Sequence, residues 1–107
     1  MDNRLKKQKD FDIVFSKGKR VYTKTLTLLF IAKDSFKVGI SLSKKHGKAT
    51  VRNRIKRLIR AAVREIKINT QNKYYIVILP KVLPKYDFHE IKKDLNYALI
   101  KGEIINA

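Results

Sequence analysis

Cysteine is absent from the 107 residues, so neither a disulfide nor a thiolate metal site can form. A chain without cysteine suits a reducing compartment, and a cytoplasmic location is the expectation. Proline (two) and glycine (four) are scarce, which points to regular structure joined by short connections. Long hydrophobic runs are missing as well. The longest, Leu26 to Ala32 broken by Thr27, falls far short of the roughly 20 apolar residues of a membrane span. No apolar stretch follows the polar opening from Met1 to Asp10, so no secretory signal is expected. Internal repeats and low-complexity segments are also lacking. Hydrophobic residues make up 44% of the chain, enough for one modest core, and a single domain over residues 1–107 is expected.

Acidic residues are the other deficit. Asp and Glu number 9 against 26 Lys and Arg, a formal net charge of +17. That excess repels itself in a compact state unless a polyanion is bound. Nucleic acid, an anionic membrane surface and an acidic protein are the candidate partners, and nucleic acid fits such a charge best. From Ser35 to Arg64 no acidic residue occurs at all.

What is present reads as alternating helix and strand. Phe11, Val14 and Phe15 recur at i, i+3 and i+4, predicting a helix over Lys9–Lys17 with Gly18 as its C-cap. Arg20 to Ala32 is rich in β-branched and aromatic residues and reads as strand. On it, Leu26, Leu28 and Phe30 share one face, and Thr25, Thr27, Leu29 and Ile31 the other. After a turn at Lys33 to Ser35, Phe36 to Leu42 alternates as a half-buried strand does. The short turn predicts that these two strands pair as an antiparallel hairpin. A helix over Val51–Lys67 with Thr50 as N-cap follows. Lys73 to Leu79 is nearly all apolar, as a central strand covered on both faces would be, and Pro80 ends it. Asp87 and Glu90 stand in a capping-box relation before a last helix with Phe88, Ile91, Leu95 and Leu99 on one face. One sheet with helices packed on it is the expected architecture.

The helix from Val51 carries the chemistry. At about 100° per residue, Val51, Ile55, Leu58, Ile59, Ala62, Val63 and Ile66 fill an arc of about 140°. Asn53, Arg54, Lys56, Arg57, Arg60, Arg64 and Lys67 take the opposite side, and Lys44, Lys45 and Lys48 lead in. A solvated helix face is the plain reading of such a run. Against it, solvated helices interleave Glu with Lys at i, i+4, and here Glu65 is the only acid. Cations near the helix start, at Lys48, Arg52 and Arg54, oppose the macrodipole at about 0.3–1 kcal/mol each. A bound phosphate would remove that cost. Arg52 lies at about 100°, inside the apolar arc, so its side chain either snorkels to solvent or leads into a pocket. Phe11 and Phe15 have two readings, as core residues or as rings stacking on unpaired bases beside Lys7, Lys9 and Lys17.

Protein-based catalysis has little support. General acid–base work needs His or carboxylates brought together. His46 falls in the basic loop, where it is expected to support phosphate contact, and His89 in the last helix, where it is expected to be merely exposed. Asp87, Glu90 and Asp94 share a helix face that could attract a hard cation, but capping and solvation explain them more simply. Asp10 and Asp12 point to different sides of a helix. No Walker loop and no zinc spacing occur. DNA binding through the basic helix lacks a helix-turn-helix partner.

Val51-Arg-Asn-Arg-Ile-Lys-Arg-Leu-Ile-Arg60, preceded by Val38-Gly-Ile-Ser-Leu-Ser-Lys-Lys-His-Gly-Lys-Ala49, closely resembles the signature of the bacterial ribonuclease P protein component. Arg4-Leu-Lys-Lys7, Asp10-Phe11, Val14-Phe15 and Gly18 resemble that family's opening, and the likeness spans nearly the whole chain. The resemblance implies an α+β domain, α-β-β-β-α-β-α around one central sheet (ribosomal protein S5 domain 2-like). It also implies a left-handed β-α-β crossover through the basic helix, where the general rule favours the right-handed one. It implies the accessory subunit of a ribonucleoprotein endonuclease that removes the 5′ leader from precursor tRNA. In that family the RNA subunit, with bound Mg²⁺, performs the hydrolysis, so no catalytic protein residue, organic cofactor, membrane or obligate protein partner is expected. The implied partners are ribonuclease P RNA and precursor tRNA. Arg52, Asn53, Arg54, Lys56, Arg57, Arg60 and Arg64, with Lys44, Lys45 and Lys48, would contact RNA. Phe11, Phe15, Lys7, Thr27 and Leu29 would line the leader cleft, although some relatives carry Tyr where this chain has Leu29. A structural RNA-binding protein of the ribosome is the main alternative, separated by whether precursor is told from mature tRNA.

Overall fold

A strand that is apolar on both sides has to be covered on both faces and paired on both edges, and that requirement organises the sheet. In a computed structural model, which describes residues 3–68, 71 and 73–105, the elements are α1 (Gln8–Lys17), β1 (Lys19–Tyr22), β2 (Leu26–Ala32), β3 (Lys37–Ile40), α2 (Ala49–Ile66), β4 (Tyr74–Pro80) and α3 (Phe88–Lys101). A short 3₁₀ turn, Lys44–His46, precedes α2. The strands lie in the order β1-β2-β4-β3. β4 pairs antiparallel with β2 and parallel with β3. The element order is the one the resemblance implies, and α2 makes the β-α-β crossover between β3 and β4.

The antiparallel hairpin expected between the first two strand segments is not formed. The segment from Arg20 to Ala32 breaks at Thr23, whose N–H and hydroxyl both donate to the Leu26 carbonyl at 2.9 and 2.7 Å. The Thr23 hydroxyl also accepts from the Leu26 N–H at 3.1 Å. The hairpin is therefore β1 with β2. The Lys33–Ser35 turn is short, but β4 inserts between β2 and β3 because its continuous apolar run needs a partner on each edge. The outer edge of β3 is closed in turn by the N-terminal segment, through Leu5 N–H to Val38 (2.9 Å) and Val38 N–H to Asn3 (2.8 Å). Covering that edge removes a template for aggregation.

Strand alternation sorts the core as read from sequence. Leu26, Leu28 and Phe30 of β2 and Ile76 and Ile78 of β4 pack against Ile55, Ile59 and Ala62 of α2 and Ile91, Leu95, Ala98 and Leu99 of α3. On the opposite face Leu29, Tyr75 and Val77 meet Val14 of α1 and Leu5. Gly18 ends α1 with φ −71°, so it serves by closeness, not by a left-handed turn: a Cβ there would sit 2.4 Å from the Val14 carbonyl oxygen. α2 begins one residue before the predicted cap. Its N-cap is Lys48, no side chain caps it, and Thr50 lies inside the first turn. Asp87 does cap α3, accepting from Glu90 N–H at 3.1 Å.

Candidate nucleic-acid interface

Burial of Ile55, Ile59 and Ala62 against the sheet fixes which side of α2 looks outward. Asn53, Arg54, Arg57 and Arg64 are exposed; Arg52, Lys56 and Arg60 are half-buried; Lys44, Lys45 and Lys48 are exposed in the approach. The structure thus gathers the basic residues predicted to contact the RNA subunit along one helix and the turn before it. Glu65, the acid of this helix, pairs across to Lys92 of α3 at 3.0 Å, on the flank towards α3 and away from the cation strip. Because no side chain caps α2, its first N–H groups add partial positive charge to the same end.

The basic turn is held by His46. The Pro80 carbonyl can only accept, so at 2.7 Å the His46 Nε2 carries the proton. Nδ1 is left as acceptor for the Ser43 N–H at 3.1 Å. Both ring nitrogens are committed within the protein, so His46 is a positioning residue for Lys44 and Lys45. Gly47 follows at φ +112°, a backbone state that favours glycine.

Phe11 and Phe15 are half-buried on α1 and line a cleft of about 390 Å³ facing the start of α2, with Ser41, Leu42, Arg52, Asn53 and Lys56. The rings border the cleft on one side and pack against the Val14–Leu29 cluster on the other. Arg52 does lead into a pocket. Its Nε is buried there with no hydrogen-bond partner. Gly39 lets the Phe11 ring lie on β3, because a Cβ would sit 2.6 Å from the ring. A larger groove of about 1070 Å³ continues along α2, with Lys56, Arg60, Arg64 and Lys67 at its rim and Leu5, Phe36 and Val63 among its apolar walls. Phe11, Ile40 and Lys56 line both spaces, so cleft and groove are continuous.

Three predicted cleft residues are not in its lining. Leu29 is 0% and Thr27 6% exposed, and neither lines the cleft; α1 docks over that part of the sheet and makes Leu29 core. Lys7 is exposed at the N-cap of α1, next to the cleft residue Gln8. The carboxylates on α3 are in structural use: besides the Asp87 cap, Asp94 accepts from the Thr25 hydroxyl at 2.6 Å and the Thr25 N–H at 3.1 Å. No group of three or more His, Asp or Glu that could hold a metal occurs among the described residues. Also among them, no helix is long and apolar enough to cross a membrane.

Comparison with known proteins agrees along the whole length. The family profile described as Ribonuclease P matches residues 1–103. The ribonuclease P protein component of Listeria welshimeri is 39% identical, over 95% of this chain and 89% of that one. That of Bacillus velezensis is 41% identical, over 95% and 90%. Among solved structures, the Staphylococcus aureus RNase P protein superposes with a TM-score of 0.83 at 28% identity, covering 99% of this chain and 100% of that one. The Thermotoga maritima RNase P protein gives 0.73 at 30% identity, covering 86% and 90%.

Proposed function

The chain belongs to the ribonuclease P protein family, and from that premise we propose that it binds the RNA subunit of that enzyme along α2 while its cleft holds the unpaired 5′ leader of precursor tRNA. Arg54, Arg57, Arg60 and Arg64, with Lys44, Lys45 and Lys48, neutralise phosphates of the RNA subunit. Each such contact releases counterions, so affinity falls steeply with salt. In the cleft, Phe11 and Phe15 offer ring faces to bases of any identity, at about 1–3 kcal/mol per stacked base. That tolerance suits a leader whose sequence varies between tRNAs. The observation that carries the reading is Arg52: a buried guanidinium nitrogen without a partner, inside an aromatic cleft, is a site prepared for an anion.

The donor set on this surface does not fit Mg²⁺. It consists of Lys and Arg with Asn53, whereas Mg²⁺ is held through carboxylates and waters, and Asp87 and Asp94 already serve the start of α3 and the turn before β2. Hydrolysis is therefore assigned to the RNA subunit and the Mg²⁺ it binds, with the protein supplying affinity and orientation.

Reconstitution tests this. The protein is mixed with a bacterial ribonuclease P RNA and a precursor tRNA at Mg²⁺ too low for the RNA to act alone. Cleavage at the mature 5′ end is expected only when both components are present. Cleavage by the protein alone would overturn the division of labour. Tight RNA binding without cleavage, and without preference for precursor over mature tRNA, would make the protein a structural RNA-binding component instead.

A further inference from the structure

The register of the sheet carries side chains past the cleft to the β1 edge. Directly paired strand residues share a face, and Tyr22 pairs with Thr27, which pairs with Leu79. Beyond Leu79, Ser41 continues β3, donating to the Ile78 carbonyl at 3.0 Å, and Ser41 is a wall of the cleft. One row therefore runs across the sheet from the cleft wall to Tyr22, on the face that α1 occupies. It spans three strand spacings, about 14 Å. The middle of the row is closed, with Thr27 6% exposed, as is the neighbouring row of Leu29 and Val77 under α1, and the row opens at its end in a tyrosine that is 66% exposed.

A single exposed aromatic is ordinary on a protein surface. Tyr22 differs in its company. Arg20, two residues earlier and so on the same face, donates from Nη2 to the Phe15 carbonyl at 3.2 Å, which ties this edge strand to the aromatic helix of the cleft. Lys24 follows in the turn, and Lys81 is held beside that turn by its N–H to the Thr25 carbonyl at 2.9 Å. Lys24 and Lys81 are both exposed. An exposed ring in line with an anion-accepting cleft and flanked by cations matches the pattern of single-strand RNA surfaces.

We infer that Tyr22 is a stacking platform for one unpaired base of the leader strand as it leaves the cleft, with Arg20, Lys24 and Lys81 beside the adjoining phosphates. The inference rests on the reading that the cleft holds the leader. A path of about 14 Å equals at most about four base rises of 3.4 Å, so the contact is made only by leaders that reach beyond the cleft.

The test uses the full chain reconstituted with a bacterial ribonuclease P RNA. Affinity is measured for precursor tRNAs whose leaders lengthen one nucleotide at a time, with Tyr22→Ala, Tyr22→Phe and Phe15→Leu beside the unaltered protein. Tyr22→Ala is expected to match the unaltered protein on mature tRNA and short leaders, then to lose about fivefold or more once the leader reaches the platform. Tyr22→Phe keeps the ring and is expected to keep the affinity. An equal loss at every length, mature tRNA included, would overturn the inference by making Tyr22 a structural or general charge-surface residue. No loss at any length, while Phe15→Leu still weakens precursor binding, would overturn it and leave the cleft reading standing. If the unaltered protein does not distinguish precursor from mature tRNA, the cleft reading falls and the inference with it.

Discussion

A buried polar group left without a hydrogen bond costs about 1–3 kcal/mol, and Arg52 Nε is in that position. Under the proposed function, an anion bound at the Arg52 guanidinium would offset that cost. Arg52→Ala is expected to leave stability in urea unchanged or slightly higher, while affinity for precursor tRNA falls by about 1.5–3 kcal/mol, as for a hydrogen bond to a charged group. Arg52→Lys keeps the charge but not the planar fork, and is expected to recover only part of the affinity. Equal losses of stability and affinity in Arg52→Ala would make the residue structural. At this scale the sequence was informative where an anomaly showed: a cation inside an apolar arc marked Arg52. It was uninformative for Leu29 and Thr27, because which end of a sheet face α1 covers depends on the docking of the helix, not on strand alternation. Half of the His46 contact set was local, the Ser43–His46 capping box, whereas its other partner Pro80 is distant in sequence and joins it only through the fold.

The helix α2 combines two functions on one cylinder, and its period separates them. Ile55, Ile59 and Ala62 enter the core, so the arginines between them leave the backbone at fixed spacing along the outer side. Arg57 is exposed on the outer strip and lines neither the cleft nor the groove, so under the proposed function it is expected to act as a phosphate contact alone. Arg57→Ala is expected to weaken binding to the RNA subunit for all substrates alike and to reduce the slope of log K against log salt by about one. An unchanged slope would remove Arg57 from the phosphate-contacting set. The period of α2, the capped start of α3 and the two-sided burial of β4 were all legible from local pattern. The pairing of β2 was not. A short turn predicted a hairpin with β3, yet the demand of a fully apolar β4 for two neighbours prevailed, and only long-range competition between strands decides that. The start of α2 was misread for a smaller reason: Thr50 has the chemistry of a cap, but the helix begins at Ala49 and leaves its first turn to solvent or to an anion.

At the scale of the molecule, the fold must hold a charge of +17 within a radius of gyration of 12.9 Å. That radius is close to the value of about 13 Å expected for a neutral domain of this length, so compactness is maintained against self-repulsion by the two apolar clusters. Two effects then separate on adding anions. Simple salt screens the repulsion, with a Debye length of about 10 Å at 0.1 M, and should raise the melting temperature gradually whatever the salt. A polyanion that binds only the native state stabilises it by mass action, about 2.7 kcal/mol at a hundredfold excess over Kd. For a domain this size that corresponds to a rise of about 10–20 °C. Thermal melts in low salt, with and without ribonuclease P RNA, are therefore expected to show a large rise with the RNA, and a much smaller one with sodium chloride added at the concentration of the RNA phosphate. Arg57→Ala should diminish the first and slightly enhance the stability without RNA, because it removes one repelling charge. If RNA raised the melting temperature no more than chloride does, the charge would be a general solvation feature and the basic face would have no native-selective ligand of this class.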